Sequence, residues 1–162
     1  MVIKNLRGIC IILLTLFLAF MLNILPLPYW AIWLRPEWVV LVMLYWVIAL
    51  PHRFGIGWAW LIGLLFDALN GTLLGEHALA FALIAYCAIK IHRQLRVFPL
   101  WQQAMVIFIL LLVYEIFTLL IQVMLADISR VWWFWPPALT SMLLWPWLFI
   151  LLRDCRRRFK ID

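Results

Sequence analysis

Charge is scarce in this chain: 12% of its 162 residues are charged, about half of what a soluble domain carries. Serine is rarer still, present only at Ser129 and Ser141. There is no HExxH, GxSxG, phosphate-binding loop or glycine-rich dinucleotide fingerprint, and no close pair of carboxylates. These absences argue against an intramembrane hydrolase, a metalloprotease or a nucleotide-dependent enzyme. Cys10, Cys87 and Cys155 are far apart and lack metal-ligand spacing, so neither a disulfide nor a metal site is expected. No cofactor is implied. Internal repeats, linkers and low-complexity tracts are absent too, and a transporter would want repeat symmetry and more polar lining.

What is present is apolar. Hydrophobic residues make up 69% of the chain, with twelve Trp and eleven Phe. The runs are continuous rather than alternating, which points to helices and not to a barrel. The reading is an all-α polytopic membrane protein, a single integral domain over 1–162. Six helices are expected at about 8–25, 36–50, 55–69, 76–90, 100–126 and 131–152, followed by a basic tail at 153–162. The first run follows Lys4 and Arg7 like a signal peptide but is too long and lacks a cleavage pattern, so it reads as a retained helix. Helices two to four are short against the ~20 residues of a straight span. Either they recruit flanking residues or the bilayer thins around them.

The formal charge of +6 sets orientation rather than advertising nucleic-acid binding. Six crossings with both termini in the cytoplasm put Lys4, Arg7, Arg53, Lys90, Arg93, Arg96, Arg153, Arg156, Arg157, Arg158 and Lys160 inside. Only Arg35 and Arg130 fall outside. A re-entrant pairing of segments two and three would break that alternation. Lys90, Arg93, Arg96 and the cluster Arg153 to Lys160 form a cytoplasmic basic surface suited to anionic lipid. Trp30, Trp33, Trp38, Trp132, Trp133 and Trp135 mark outer edges, and Trp58, Trp60 and Trp101 inner ones. Trp46 and Trp145 read as packing, and Pro146 should bend the last helix.

One stretch, residues 57–75, organises the rest. Asp67 lies in an apolar run, with Gly63 four residues before it and Gly71 and Gly75 four and eight after. A charge in hydrocarbon costs roughly 2.5 to 3.5 kcal/mol, so something within the fold must receive it. The glycines allow close helix approach, and the chain should turn at Asn70-Gly71. At 1.5 Å per residue, Asp67 sits about 15 Å and Glu115 about 21 Å from the cytoplasmic side. Arg35, in the Arg35-Pro36 start of the second helix, is expected to pair with Asp67 or Glu115. That cluster either fixes packing as a structural ion pair or receives a partner helix. Glu115, Thr118 and Gln122 share a face of the fifth helix, as cavity lining or as interhelical glue. His52, His77 and His92 read as interfacial rather than as ligands or catalysts.

An ordered set of segments carries a resemblance. They are Arg35-Pro36-Glu37-Trp38, Tyr45-Trp46 with Ala49-Leu50-Pro51-His52-Arg53, and Gly63-Leu64-Leu65-Phe66-Asp67 with Gly71 and Leu74-Gly75. Leu100-Trp101-Gln102-Gln103-Ala104 and Leu144-Trp145-Pro146-Trp147 follow. Together they resemble the rod-shape-determining MreD family of bacterial membrane proteins. The resemblance implies a non-enzymatic inner-membrane scaffold that works with MreC and the actin-like MreB. RodA and its class B penicillin-binding transpeptidase would stand nearby. It also implies a fold like the S-components of energy-coupling-factor transporters, with Arg35-Pro36 and Gly63 to Gly75 forming an outer-half pocket. A small-molecule or lipid-binding subunit is the rival reading, and a homo-oligomer stays open.

Overall fold

The computed structural model describes residues 2–125 and 135–159, with side chains from residue 8. Six helices account for almost all of them: α1 (Val2–Ile24), α2 (Trp38–Ala49), α3 (Ile56–Asn70), α4 (Glu76–Leu95), α5 (Leu100–Met124) and α6 (Trp135–Arg158). A 3-10 segment, Tyr29–Leu34, precedes α2. Among the described residues there is no strand, as continuous apolar runs require.

The shortest helix is the centre. Every residue of α2 from Val39 to Ala49 is buried, because a helix apolar on all faces has no side to offer water. It packs against α1, α4 and α6, while α3 lies on α4, α4 on α5 and α5 on α6. Trp46 and Trp145, expected as packing residues, are both fully buried. Trp46 also donates its ring N–H to Thr15 Oγ1 on α1 at 2.9 Å. On α4, Ala78, Ala80, Ala85 and Ala88 are buried without exposure. Small side chains let backbones approach where lipid supplies no hydrophobic drive between helices.

Among the described residues, four segments are long and apolar enough to cross a membrane: Tyr29–Ala49, Glu76–Leu95, Leu100–Met124 and Trp135–Arg158. The apolar parts of α1 (Gly8–Ile24) and α3 are shorter. Outward faces are apolar as well, with Leu14, Phe17 and Leu18 on α1 more than half exposed. These features make the chain an integral membrane protein.

Several helix boundaries differ from expectation. α4 does not stop at residue 90 but continues to Leu95, and α6 runs through Arg153 to Arg158 instead of yielding to a tail at 153. Basic side chains do not end a helix; in its last turn they complement the negative end of the macrodipole. α5 ends at Met124, earlier than expected, and α6 continues through Pro146. Residues 131–134, with Trp132 and Trp133, lie outside the described residues, as do Arg130 and Lys160.

Candidate functional site

The α3–α4 hairpin is built around Asp67. α3 ends at Asn70, where Gly71 takes φ +66°, and Gly75 precedes α4 at φ +107°. Both lie in the left-handed region that glycine enters without a Cβ penalty. Gly63, one turn before Asp67, meets α4 directly. A Cβ added there would lie 2.4 Å from Ala78 Cα and 2.9 Å from His77 O, so the two backbones touch.

That contact delivers Asp67 to the first turn of α4. Its carboxylate is fully buried. Oδ2 accepts from the Gly75 and Ala78 N–H groups at 2.9 and 3.3 Å. Oδ1 accepts from the His77 N–H at 3.0 Å, from Thr72 Oγ1 at 2.9 Å, and meets His77 Nδ1 at 2.7 Å. The first N–H groups of a helix have no partner within it and carry the positive end of its dipole. A carboxylate ten residues away thus satisfies them, and α4 in turn neutralises the buried charge. A carboxylate only accepts, so Nδ1 of His77 carries the hydrogen in that contact. The His77 ring lies 4.9 Å from Phe66 and 6.0 Å from Tyr114.

The anticipated ion pair of Arg35 with Asp67 or Glu115 does not form. Among the described residues the ion pairs are His77 with Asp67 and Arg153 with Asp154. Arg35 donates instead to the Leu25 carbonyl beyond the end of α1, and its buried Nε has no partner among the described residues. The physical reason is competition: backbone N–H donors already occupy Asp67, while an orphan carbonyl at a helix end attracts a cation.

Arg35, Glu115, Thr118 and Gln122 nevertheless converge. With Glu37, His77 and Tyr114 they line a cavity of about 400 Å³ beside the hairpin. Thr118 is buried and donates to the Tyr114 and Glu115 carbonyls of its own helix. Gln122 reaches Glu76 Oε1 at 2.8 Å, tying α5 to the first residue of α4. Pro36 holds the approach to α2, whose N-cap residue Glu37 gives its N–H to the buried Ser141 Oγ at 2.9 Å.

The basic surface divides. Lys90, Arg93, Arg157 and Arg158 are exposed, Lys90 standing 4.8 Å over the Tyr86 ring. Arg96 bonds the Ile48 carbonyl at 3.0 Å and that of Ala49 at 2.7 Å, and Arg156 reaches Ala49 O at 3.5 Å. These two therefore cap α2 rather than only facing the surroundings. Arg153 sits 3.7 Å from Asp154.

Sequence reasoning missed Thr72, Glu76, His77, Gln103 and Ser141. His77, read as interfacial, is buried against Asp67. Gln103 is buried and donates to the carbonyls of Leu95, which ends α4, and of Phe98 beyond it, at 2.8 and 3.0 Å. The available signal was a carboxylate inside an apolar run, a short loop upstream of a Gly-Glu-His helix start. Among the described residues no group of His, Cys, Asp and Glu has a metal-binding arrangement.

A family model for rod shape-determining protein MreD matches residues 4–155. The Rod shape-determining protein MreD of Haemophilus influenzae is 37% identical over 144 residues, covering 89% of each chain. No solved structure matches. A family match over nearly the whole length, including the α3–α4 hairpin whose Gly63 to Gly75 segment carries the resemblance, leads to one conclusion: the chain belongs to the MreD family of rod shape-determining proteins.

Proposed function

We propose that this chain is a non-enzymatic scaffold of the bacterial inner membrane, crossing it six times with both termini in the cytoplasm. Its role is to hold MreC within the cell-wall elongation complex and to link peptidoglycan synthesis to MreB. Eleven of thirteen basic residues on one side support the orientation. So does the convergence of Arg96 from α4 and Arg156 from α6 on the end of α2. The scaffold reading accords with Asp67, whose oxygens are fully engaged by donors and so cannot serve as a base.

The observation that carries the proposal is the polar cavity of about 400 Å³ in an otherwise apolar bundle, with the buried Nε of Arg35 unmatched among the described residues. A membrane segment of MreC presenting a carbonyl or carboxylate would satisfy it. RodA and the class B penicillin-binding transpeptidase join through that assembly, while exposed Lys90, Arg93, Arg157 and Arg158 hold anionic lipid or cytoskeletal partners.

Co-purification tests this. Arg35→Gln and the pocket-filling Thr118→Leu should each lower the MreC retained while thermal stability stays close to wild type. Undiminished MreC in both variants defeats the proposal. The S-component-like reading draws on the same cavity, whose volume falls in the range of small-molecule sites, roughly 300 to 1,000 Å³. A stoichiometric small molecule released from the purified protein, and lost in Thr118→Leu, would favour it.

A further inference from the structure

A second cavity, of about 330 Å³, lies between α1 and the corner joining α2 to α3. Ile9, Ile12 and Leu13 form one wall, and Leu50, Phe54 and Trp58 the other. Phe54 and Trp58 stack at 5.8 Å with 10° between ring planes, giving that wall a flat aromatic surface. The groove follows α1 from Gly8 to Leu13, about 7 Å at 1.5 Å per residue. Among the described residues, the one charged member of its lining is Arg53, exposed in the turn between α2 and α3.

We infer that this groove is a specific site for an anionic phospholipid. The first part of an acyl chain fills the apolar channel, and Arg53 holds the phosphate at its lip. Three features commit the site to that occupant. The channel is apolar, so a soluble anion or polar peptide would gain nothing from its walls. The lip carries a guanidinium, whose planar donors match phosphate oxygens. Trp58, 43% exposed at the α3 start, has the amphipathic character of a side chain at headgroup level. A zwitterionic lipid fits the channel equally well but sets its own cation against Arg53.

The test is native mass spectrometry of the full-length chain in detergent, titrated with phosphatidylglycerol or phosphatidylcholine. The wild-type chain should bind its first phosphatidylglycerol several-fold more tightly than phosphatidylcholine. Arg53→Gln should reduce that preference about fivefold, the worth of one basic residue near an anionic surface, and leave phosphatidylcholine unchanged. Leu13→Trp, placed at a half-exposed groove position, should weaken both lipids. Leu143→Trp, at an outward position of α6 away from the groove, should change neither. The inference is overturned if Arg53→Gln keeps the preference or if Leu143→Trp weakens lipid binding as much as Leu13→Trp. Tight lipid binding that survives Leu13→Trp, or a polypeptide found in the groove, overturns it as well.

Discussion

Replacing Gly63 with alanine tests how the hairpin holds its charge. The new Cβ would lie 2.4 Å from Ala78 Cα and 2.8 Å from Ala78 N. Ordinary contact begins near 3.4 Å, so α3 must withdraw by about 1 Å. The bonds from Asp67 to the His77 and Ala78 N–H groups, 3.0 and 3.3 Å long, would then exceed hydrogen-bonding reach. Overpacking of this kind costs about 1 to 3 kcal/mol, and unmatched buried donors add about 1 kcal/mol or more each. A melting shift on the order of 5 °C or more should follow for a chain of this size, read by fluorescence-detected gel filtration after heating in detergent. Ala78→Gly should not rescue the variant, because the clash is with backbone. Since Gly63 and Asp67 act on the same helix end, adding Asp67→Asn should cost less than it does alone. A Gly63→Ala protein that melts with wild type would refute the close contact and the reasoning built on it.

Other perturbations separate the parts. Asp67→Asn keeps one accepting oxygen but turns an amide N–H₂ toward α4 donors, so stability should fall by about 2 to 4 kcal/mol. Asp67→Ala should fall further, and equal melting of the two variants would count against the cap. Gln103→Leu leaves the Leu95 and Phe98 carbonyls unmatched; a loss of about 1 to 3 kcal/mol is expected in the same assay. Arg96→Met should cost only about 1 kcal/mol, since the side chain is exposed and its contribution screened. Raising salt should narrow the gap between Arg96→Met and wild type.

Periodicity and punctuation made the helices legible, since continuous apolar runs broken by Pro, Gly and charge leave little choice. The turn at Asn70-Gly71 was equally plain, because Gly71 takes the left-handed conformation that the sequence announces. Asp67 announced itself as a charge needing a host. The host was hidden because capping across a hairpin has no fixed spacing, and Ser141 reaches Glu37 across 104 positions. Arg96 was read as surface for the same reason: its carbonyl partners lie 47 and 48 residues earlier. Helix ends that lie among other helices must be satisfied by whatever side chain the fold brings near. Local pattern locates the need; tertiary packing chooses the donor.

The pocket as MreC's seat is tested most directly by a photocrosslinking amino acid placed at Leu119 or Gln122, which line the cavity, or at the outward-facing Leu120 and Ile109. The proposal predicts MreC adducts from the two pocket positions and none from the two outward ones. Adducts from the outward face alone, with MreC still co-purifying, would contradict it.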